Sequence, residues 1–343
     1  MKSFFGATRS QLNDLLESSQ RSGRVFSAVY RERAGRLDEI DSIPPAFRVR
    51  LAERFDLALP AIHKRFDSVD GTRRYLLRLA DGELVESALI PEEERATFCI
   101  STQVGCALGC AFCLTAQLGL TRNLSAAEIV AQVVTLDRDN RERGGPGRVS
   151  VVFMGMGEPL DNYDETMTAI RILEDRCGLG LPMSRITVST VGLVPGIRRL
   201  AGEPLFPNLS ISLTGSRNEA RSALMPVNRK YPIDAVMREA RALPPARQKR
   251  VMFEYVLIEG LTDSEPDAIE LARLLEGMRV KVNLIPLNPA PEIPFSRPSD
   301  AAILAFQRAL TSRGVHTFIR KNRGGDVSSA CGQLKRRLEA SVP

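Results

Sequence analysis

The chain has 343 residues with a hydrophobic fraction of 43% and a charged fraction of 26%, which predicts a globular protein with one large core and a smaller accessory domain. No apolar run approaches the roughly 20 residues of a membrane-spanning helix, and the start lacks the layout of a secretory signal peptide, so we expect a cytoplasmic protein. The net charge of +6 permits a polyanionic partner without requiring one, and a total of two histidines excludes a histidine-rich metal site.

Helical periodicity dominates the first part of the chain. Apolar residues recur at helical spacing over much of this segment, so residues 1–60 are predicted to form a small helical accessory domain, either a simple cap or a docking module. Residues 61–95 follow as a predicted β-hairpin extension, because two strand-like segments flank the turn-forming pair Asp81 and Gly82.

Strands and helices alternate from residue 96 to residue 322. Short apolar segments predict strands at 97–102, 148–156, 185–190, 208–214, 250–258 and 280–287, with 315–320 as a candidate for a last one. Amphipathic segments between them predict helices. The alternation indicates an α/β fold with a parallel sheet covered by helices, in which six or seven units can close into a partial barrel. Function is then expected on loops at the carboxyl ends of the strands.

Three cysteines follow the first strand of the alternating region, namely Cys106, Cys110 and Cys113. Thiolates at this spacing can converge on one iron–sulfur cube. Three ligands for four irons leave one iron open, which can chelate the amino and carboxylate groups of S-adenosylmethionine (SAM). The pattern resembles that of the radical SAM superfamily, whose fold is a partial (βα)6 barrel. A zinc site with Cys99 as a fourth ligand is the alternative, although the chain offers no second Cys-x-x-Cys pair.

A glycine-rich turn follows the second strand of this region, at residues 155–159. Taken alone, such a turn is more often only a turn. After a cluster loop it resembles the radical SAM motif that meets the amino group of SAM, because Gly157 allows close backbone approach and Glu158 can accept charged N–H bonds. Later strand ends supply further candidates for contacts with the ribose and carboxylate of SAM. These are Ser189, Ser212, Leu213, Thr214 and Asn288.

Six segments, in chain order, resemble the RlmN/Cfr family of radical SAM adenine-C-methyltransferases, and the RlmN branch more than Cfr. They are CISTQVGCALGCAFCLTAQLGLTRNLSAAEI (99–129), FMGMGEPL (153–160), VSTVGLVP (188–195), ISLTGS (211–216), NLIPLNP (283–289) and CGQL (331–334). The resemblance extends over nearly the whole chain. It implies methylation of an adenine carbon in ribosomal or transfer RNA, with a [4Fe–4S] cluster and SAM as cofactors. It also implies an N-terminal domain that docks RNA, a low-potential electron donor such as flavodoxin, and a monomer.

The resemblance further implies catalytic roles for Cys331, Cys99 and Glu86. Cys331 takes a methyl group from one SAM, and a second SAM is cleaved reductively to a radical that removes hydrogen from that methyl group. The carbon radical then adds to the base, with carbon 2 favoured by likeness to RlmN, and Cys99 resolves the adduct by forming a disulfide with Cys331. Glu86 matches a position that takes part in proton transfer. From the residues alone, Cys99 can equally be a buried core residue and Glu86 an exposed hairpin carboxylate.

Cys331 lies in the C-terminal segment 323–343, whose small residues around the cysteine predict a mobile loop that carries the methyl group. Basic residues on both sides of it can contact RNA phosphates. These are Arg320, Lys321, Arg323, Lys335, Arg336 and Arg337. Cys177 matches no functional position of the family and is interpreted as structural.

One position departs from the family pattern, since Thr214 stands where the family commonly has histidine. The departure leaves the detailed SAM contact and the RNA target open. Two other functions also stay open. One is a radical SAM enzyme acting on a small molecule or peptide, which would not need Cys99 and Cys331 as a pair. The other is a zinc-stabilised RNA-binding protein without enzymatic activity.

Overall fold

The structure, a computed structural model, describes residues 1–321, 323 and 324 and is built on a ten-stranded mixed β-sheet with two smaller strand pairs. The strands in this part of the chain are β1 (Lys2–Ser3), β2 (Phe55–Asp56), β3 (Ala61–Asp67), β4 (Arg73–Arg78), β5 (Leu84–Pro91), β6 (Arg95–Cys99), β7 (Gln103–Gly105), β8 (Leu120–Asn123), β9 (Arg148–Phe153), β10 (Ile186–Thr190), β11 (Asn208–Ser212), β12 (Val251–Leu257), β13 (Lys281–Pro286) and β14 (His316–Ile319). The α-helices are α1 (Arg9–Leu16), α2 (Ser19–Tyr30), α3 (Pro45–Arg54), α4 (Leu114–Gln117), α5 (Ala126–Glu142), α6 (Tyr163–Glu174), α7 (Val194–Ala201), α8 (Asn218–Leu224), α9 (Ile233–Ala242), α10 (Pro245–Gln248), α11 (Glu265–Leu274) and α12 (Asp300–Thr311).

The N-terminal helices form where the apolar periodicity predicts them, and side-chain caps fix where the first two begin. Thr8 caps α1 in a capping box with Gln11, and the Ser18 hydroxyl caps α2 by accepting a hydrogen bond from the Arg21 N–H. The buried residues of these helices belong to the same hydrophobic core as those of the main sheet and of α5. The division of the chain into domains at residues 60, 95 and 322 stays a prediction.

The predicted alternation of strands and helices is confirmed: β6 and β9 to β14 run parallel in one sheet. Side chains alternate between the two faces of each strand. In β11, Leu209 and Ile211 join the hydrophobic core, whereas Ser210 lies on the opposite, concave face. There the Ser210 hydroxyl donates a hydrogen bond of 2.9 Å to Glu254 of β12, and the Asn283 amide donates one of 2.8 Å to the same carboxylate. This face of the sheet therefore holds a buried polar group, whereas Val256, on the same side of β12, packs in an apolar cluster with Cys110.

The predicted β-hairpin is present as β4 and β5, and its turn contains Gly82 at a positive φ of 90°. β3 pairs with the outer side of β4, and β5 pairs antiparallel with β6. Ala88 lies opposite both Arg74 of β4 and Cys99 of β6. Because paired residues point to the same face, this row of the hairpin faces the same side as Cys99. The hairpin is a continuation of the main sheet.

Most of the parallel strands end one to three residues earlier than the sequence predicts, and the first two differ the most. The first parallel strand ends at Cys99 and the second at Phe153, three residues before the predicted ends at 102 and 156. These extra residues leave the sheet to form loops, one of which is tied to the other by a 3.0 Å hydrogen bond from the Gly155 N–H to the Ile100 carbonyl. Ile100 and Met156 are apolar because these loops are buried and not because they pair as strands.

Candidate active site

The loop between β7 and α4 carries the three clustered cysteines. Its start is closed by a 2.7 Å hydrogen bond from the Cys106 N–H to the Gly119 carbonyl. Gly105 adopts a φ of +82°, and a Cβ at this position would lie 1.8 Å from the Gly119 carbonyl oxygen, so only glycine allows the approach. The middle of the loop is tied to the end of α8, since the Ala111 N–H donates to the Leu224 carbonyl at 2.9 Å. The cysteine spacing is thus held on a folded loop with two anchors.

Burial governs the chemistry of the thiols on this loop. It raises the pKa of the Cys106 thiol to about 12 and also raises the pKa of the Cys110 thiol, so both favour the protonated form until a cation compensates the thiolate. Within residues 1–321, 323 and 324, no three Cys, His, Asp or Glu side chains are placed to hold a single metal ion. A cubane binds each cysteine at a different iron, so its ligands need not meet at one point, whereas zinc requires that convergence. The donor set fits an iron–sulfur cluster better than the zinc alternative.

The glycine-rich turn after β9 packs directly against the loop that follows β6. Gly157 has a φ of +97°, and a Cβ there would lie 2.5 Å from Cβ of Gln103. At Gly155 a Cβ would lie 2.6 Å from the Ser101 hydroxyl oxygen. The turn is therefore more than a simple reversal of the chain, because its glycines permit close contact between two loops at the carboxyl ends of adjacent strands.

Glu158 is buried within this turn and uses both carboxylate oxygens. Oε1 accepts a hydrogen bond from the Leu160 N–H at 3.0 Å, and Oε2 accepts one from the Val191 N–H at 2.8 Å. Burial raises the pKa of the Glu158 carboxyl to about 7, against the opposing effect of these backbone donors. The side chain thus joins the ends of β9 and β10. A direct contact between Glu158 or Gly157 and SAM stays a prediction.

Gln103 extends this network, although none of the sequence motifs singles it out. Its Oε1 accepts from the Glu158 N–H at 2.8 Å, while its amide nitrogen donates to Asn123 at 2.8 Å and to Asp161 at 3.0 Å. A buried glutamine directly after an apolar strand segment is the signal that could have found it. The side chain links the segments before and after the cysteine loop to the glycine-rich turn.

A cavity of about 660 Å³ opens beside these loops, within the usual size range of a small-molecule site. Its wall includes residues of β4, β5 and β6, the loop after β13, and the segment after β14. Three of the predicted site residues line it, namely Glu86, Cys99 and Asn288. Basic side chains also line it, at Arg74, Arg297, Arg320, Lys321 and Arg323. The structure therefore brings a thiol, a carboxylate and several cations to one cavity.

Glu86 is only 2% exposed, so the alternative of an exposed hairpin carboxylate is wrong. Its Oε2 lies 2.7 Å from Nη2 of Arg74, and Arg74 is itself 4% exposed. The Glu86 carbonyl accepts a 2.6 Å hydrogen bond from the Ser101 hydroxyl, which in turn accepts one of 2.8 Å from the Met156 N–H. The hairpin prediction missed this burial because the strand pairs on both sides within the main sheet.

The other strand-end candidates lie outside the lining of this cavity. Ser189 is in β10, Ser212 ends β11, and Leu213 and Thr214 follow directly. Thr214 is fully buried at a φ of +54°, a left-handed conformation uncommon for a β-branched residue, and its hydroxyl has no hydrogen-bond partner among the described residues. The carboxyl ends of neighbouring strands do hold these residues, but their contacts with SAM stay a prediction.

Cys331 lies outside the described residues, as do Lys335, Arg336 and Arg337. The segment that leads toward Cys331 is described as far as Gly324. There the Gly324 N–H donates a 3.0 Å hydrogen bond to Asp70, in the turn between β3 and β4. The carboxylate of Asp70 therefore holds this segment at the sheet extension. Cys177, interpreted as structural, is half-buried against the main core.

Comparisons with known proteins agree with this geometry. Residues 100–272 match the family described as the radical SAM superfamily. A probable dual-specificity RNA methyltransferase RlmN of Koribacter versatilis is 44% identical over 93% of this chain and 96% of its own. A dual-specificity RNA methyltransferase RlmN of Syntrophobacter fumaroxidans is 46% identical over 93% of this chain and 92% of its own.

A solved structure is similar over the same extent. The crystal structure of a radical SAM methyltransferase from Sphaerobacter thermophilus superposes with a TM-score of 0.90 at 43% identity, covering 97% of this chain and 99% of that one. No helix in the described part of the chain is long and apolar enough to cross a membrane. The cysteine loop, the parallel barrel and the extent of these similarities together show that the chain belongs to the radical SAM superfamily and, within it, to the RlmN family of RNA methyltransferases.

Proposed function

We propose that the protein methylates an adenine carbon, carbon 2, in ribosomal or transfer RNA through a methylated Cys331. The observation that carries the proposal is the cavity that Cys99 and Glu86 both line. Its rim consists of four exposed basic side chains, Arg297, Arg320, Lys321 and Arg323. A volume of about 660 Å³ accommodates a base and part of a cofactor. A radical route is required because carbon 2 of adenine is electron-poor and cannot displace a methyl group from SAM directly.

Cys106, Cys110 and Cys113 would hold a [4Fe–4S] cluster on their doubly anchored loop. When bound, the cluster supplies the low-potential electron that cleaves SAM, and flavodoxin is the class of donor we propose. The strand ends at Ser189, Ser212, Leu213, Thr214 and Asn288 would orient SAM. Gly157 and Glu158 would complete this site, with Glu158 fixing the turn through the Leu160 and Val191 amides.

Cys331 would act as the methyl carrier. Its thiolate displaces the methyl group from the SAM sulfonium, so that an S–C bond forms as the S–C bond of SAM breaks. Cys99 would act after the carbon has joined the base and the adduct has released the carbon 2 proton and one electron, which would return to the bound cluster. The Cys99 thiolate then bonds to the sulfur of Cys331 as the carbon–sulfur bond breaks, and the carbon keeps that electron pair and takes up a proton to become the methyl group. Its position supports this role, because Cys99 ends β6 and lines the cavity. The resulting disulfide must be reduced before the next turnover.

Glu86 would accept the proton that leaves carbon 2 as the methyl group is installed. The 2.7 Å ion pair with Arg74 fixes the position of the carboxylate in the cavity wall. The carboxylate also lines the cavity, on the same face of the sheet as Cys99. We propose that the cations of the rim, Arg297, Arg320, Lys321 and Arg323, bind the RNA backbone while the base enters the cavity.

The experiment is a product assay with protein whose cluster has been reconstituted anaerobically. Ribosomal RNA or tRNA is incubated with SAM carrying a deuterated methyl group and a low-potential reductant, then digested for nucleoside mass spectrometry. We expect a methyladenosine that retains two deuterium atoms of the donated methyl group, because one is abstracted by the radical. RNA deuterated at carbon 2 of adenine should lose that label.

Two variants complete the assay. Cys106→Ala should abolish the product, whereas Cys177→Ala should leave it unchanged, because Cys177 lies away from the cavity lining. If the deuterium at carbon 2 were retained in the methylated product, the methyl group would have to be on another adenine carbon. Reductive cleavage of SAM without any modified RNA would favour the small-molecule or peptide alternative instead.

A further inference from the structure

Arg221, in α8, carries a buried guanidinium that has no carboxylate partner among the described residues, and the end of the same helix packs against the cysteine loop. We propose that Arg221 is a positioning residue for the iron–sulfur cluster, supplying the fixed positive charge against which the anionic cluster is held and reduced. This inference rests on the proposed ligation of the cluster by the cysteine loop. It assigns a role to a residue that neither the motifs nor the cavity lining single out.

Arg221 is completely inaccessible to solvent. Its Nε donates to the Leu213 carbonyl at 2.9 Å, and its Nη1 donates to the Asn228 side chain at 2.7 Å and to the Tyr231 carbonyl at 3.2 Å. Its Nη2 donates to the Val191 carbonyl. Each of these acceptors is neutral, so the hydrogen bonds satisfy the donors but leave the charge uncompensated.

An uncompensated buried charge is costly, and the other arginine that is buried in the described part of the chain has an acidic partner. Arg74 is paired with Glu86 at 2.7 Å, whereas no carboxylate in residues 1–321, 323 and 324 forms an ion pair with Arg221. Desolvation lowers the pKa of the Arg221 guanidinium to about 10, which still leaves it protonated at neutral pH. A buried cation without a counter-charge is strongly unfavourable, so a compensating anion is expected nearby.

The cysteine loop is where that anion would form. Cys110 packs in one apolar cluster with Leu224 and Met225 at the end of α8, one turn beyond Arg221. The Met225 N–H donates to the Arg221 carbonyl at 2.7 Å, and the Ala111 N–H donates to the Leu224 carbonyl at 2.9 Å. The same helix thus anchors both the guanidinium and the loop.

The charge of a bound cluster complements that of Arg221. Three thiolates outweigh the positive charge of an oxidised cubane core, so the bound cluster is an anion, and gaining an electron makes it more negative. The net charge and the hydrogen bonding around a cluster set its reduction potential. A fixed buried cation stabilises the reduced form more than the oxidised form and therefore raises the potential toward that of the donor.

The test is a redox titration of the reconstituted protein, followed by the electron paramagnetic resonance signal of the reduced cluster. Arg221→Gln removes the charge, and Arg221→Lys keeps it while losing the fork of hydrogen bonds. Arg217→Gln is the matched control, because it removes a charge from the exposed start of the same helix, where Arg217 pairs with Asp267 at 2.9 Å. Iron content and urea denaturation of each apoprotein are measured alongside.

At a fixed donor potential, Arg221→Gln should lower the ratio of reduced to oxidised cluster by about tenfold, which is about 59 mV for a one-electron couple. Arg221→Lys should stay within about twofold of wild type even if its apoprotein is less stable, and so should Arg217→Gln. If Arg221→Gln lost its iron while Arg221→Lys kept it, that result would also support the proposed role of the positive charge.

An unchanged potential in Arg221→Gln, or an equal fall in Arg221→Lys, would overturn the proposal. Loss of iron from both Arg221 variants would overturn it too, because the side chain would then act through its hydrogen bonds alone. A wild-type protein that holds no reducible cluster would instead contradict the proposed function, before any variant is compared.

Discussion

Glu86 and Arg74 form a buried ion pair in the cavity wall, with 2.7 Å between Oε2 and Nη2. Removing one partner leaves the other charge buried without its counterion, so Arg74→Met should lower the free energy of unfolding of the apoprotein by about 3–5 kcal/mol. Urea denaturation measures this. Arg78→Met, on the same strand but exposed, is the control and should cost less than about 1 kcal/mol. Equal stability of the two variants would show that the ion pair does not support the wall.

Glu86→Gln separates the catalytic role of the carboxylate from its structural one. The amide can still accept a hydrogen bond from Arg74 but cannot take a proton from carbon 2. We expect RNA methylation to fall by about 10²–10⁴-fold, with methylation of Cys331 unchanged, because that displacement needs no base at the cavity wall. Parallel assays of modified RNA and of the Cys331 peptide decide the matter. A similar loss in both assays would assign Glu86 to the fold or to SAM binding.

The raised pKa of Glu158 predicts how the stability of the apoprotein depends on pH. Burial raises the pKa of the Glu158 carboxyl from 4.5 to about 7. The folded state therefore binds more protons than the unfolded state between these pH values, and it loses stability as pH rises through that window. Across this window the Glu158 carboxyl lowers the free energy of unfolding by about 3 kcal/mol. Denaturation of wild type and Glu158→Gln between pH 4.5 and 7.5 should show a decline in wild type that the variant largely lacks. If the free energies of unfolding of wild type and Glu158→Gln depended on pH in the same way, the raised pKa of Glu158 would be refuted.

The glycine at position 157 is predicted to be irreplaceable for a packing reason. Gly157→Ala must strain a φ of +97° and place its Cβ 2.5 Å from Gln103, which displaces the loop after β6. Gly260 has a φ of +69°, and a Cβ added there would have no atom within 4 Å, so Gly260→Ala incurs the backbone strain alone, about 1 kcal/mol. Gly157→Ala should cost at least about 1–3 kcal/mol more in thermal or urea unfolding. If both variants lost the same amount of stability, the glycine-rich turn and the segment that contains Gln103 would not need their close contact.

Much of the fold follows from the sequence because its signals are local. The parallel strands carry alternating core positions such as Leu209 and Ile211, and Asp81–Gly82 marks the hairpin turn. The spacing of Cys106, Cys110 and Cys113 likewise depends only on neighbouring residues. The comparisons confirm the predicted radical SAM fold.

Long-range relationships could not be predicted in the same way. Burial of Glu86 depends on how β5 pairs within the sheet, and the sequence of the hairpin does not specify its neighbours. Arg221 lies in a seven-residue helix, too short for a clear amphipathic pattern, and its burial follows from acceptors at Leu213, Val191 and Tyr231, which three different segments supply. Tertiary packing, and not local propensity, decides both positions.

Cys99→Ser tests the proposed resolution step. Serine preserves the size of the side chain at the end of β6 but cannot form a disulfide, so the protein should remain joined to its RNA. Denaturing gels and mass spectrometry after turnover should detect a covalent protein–RNA adduct in this variant. Cys177→Ser is the matched control and should give none. Normal turnover by Cys99→Ser would remove Cys99 from the mechanism.

The central claim, that Cys331 carries the methyl group, is tested most directly by peptide mass spectrometry. Protein with a full cluster, verified by iron content, is incubated with SAM and digested under anaerobic conditions. We expect one added methyl group on the peptide that contains Cys331, and none on the peptide that contains Cys177. An unmodified Cys331 in such a preparation would contradict the claim and indicate a different radical SAM reaction on the same scaffold.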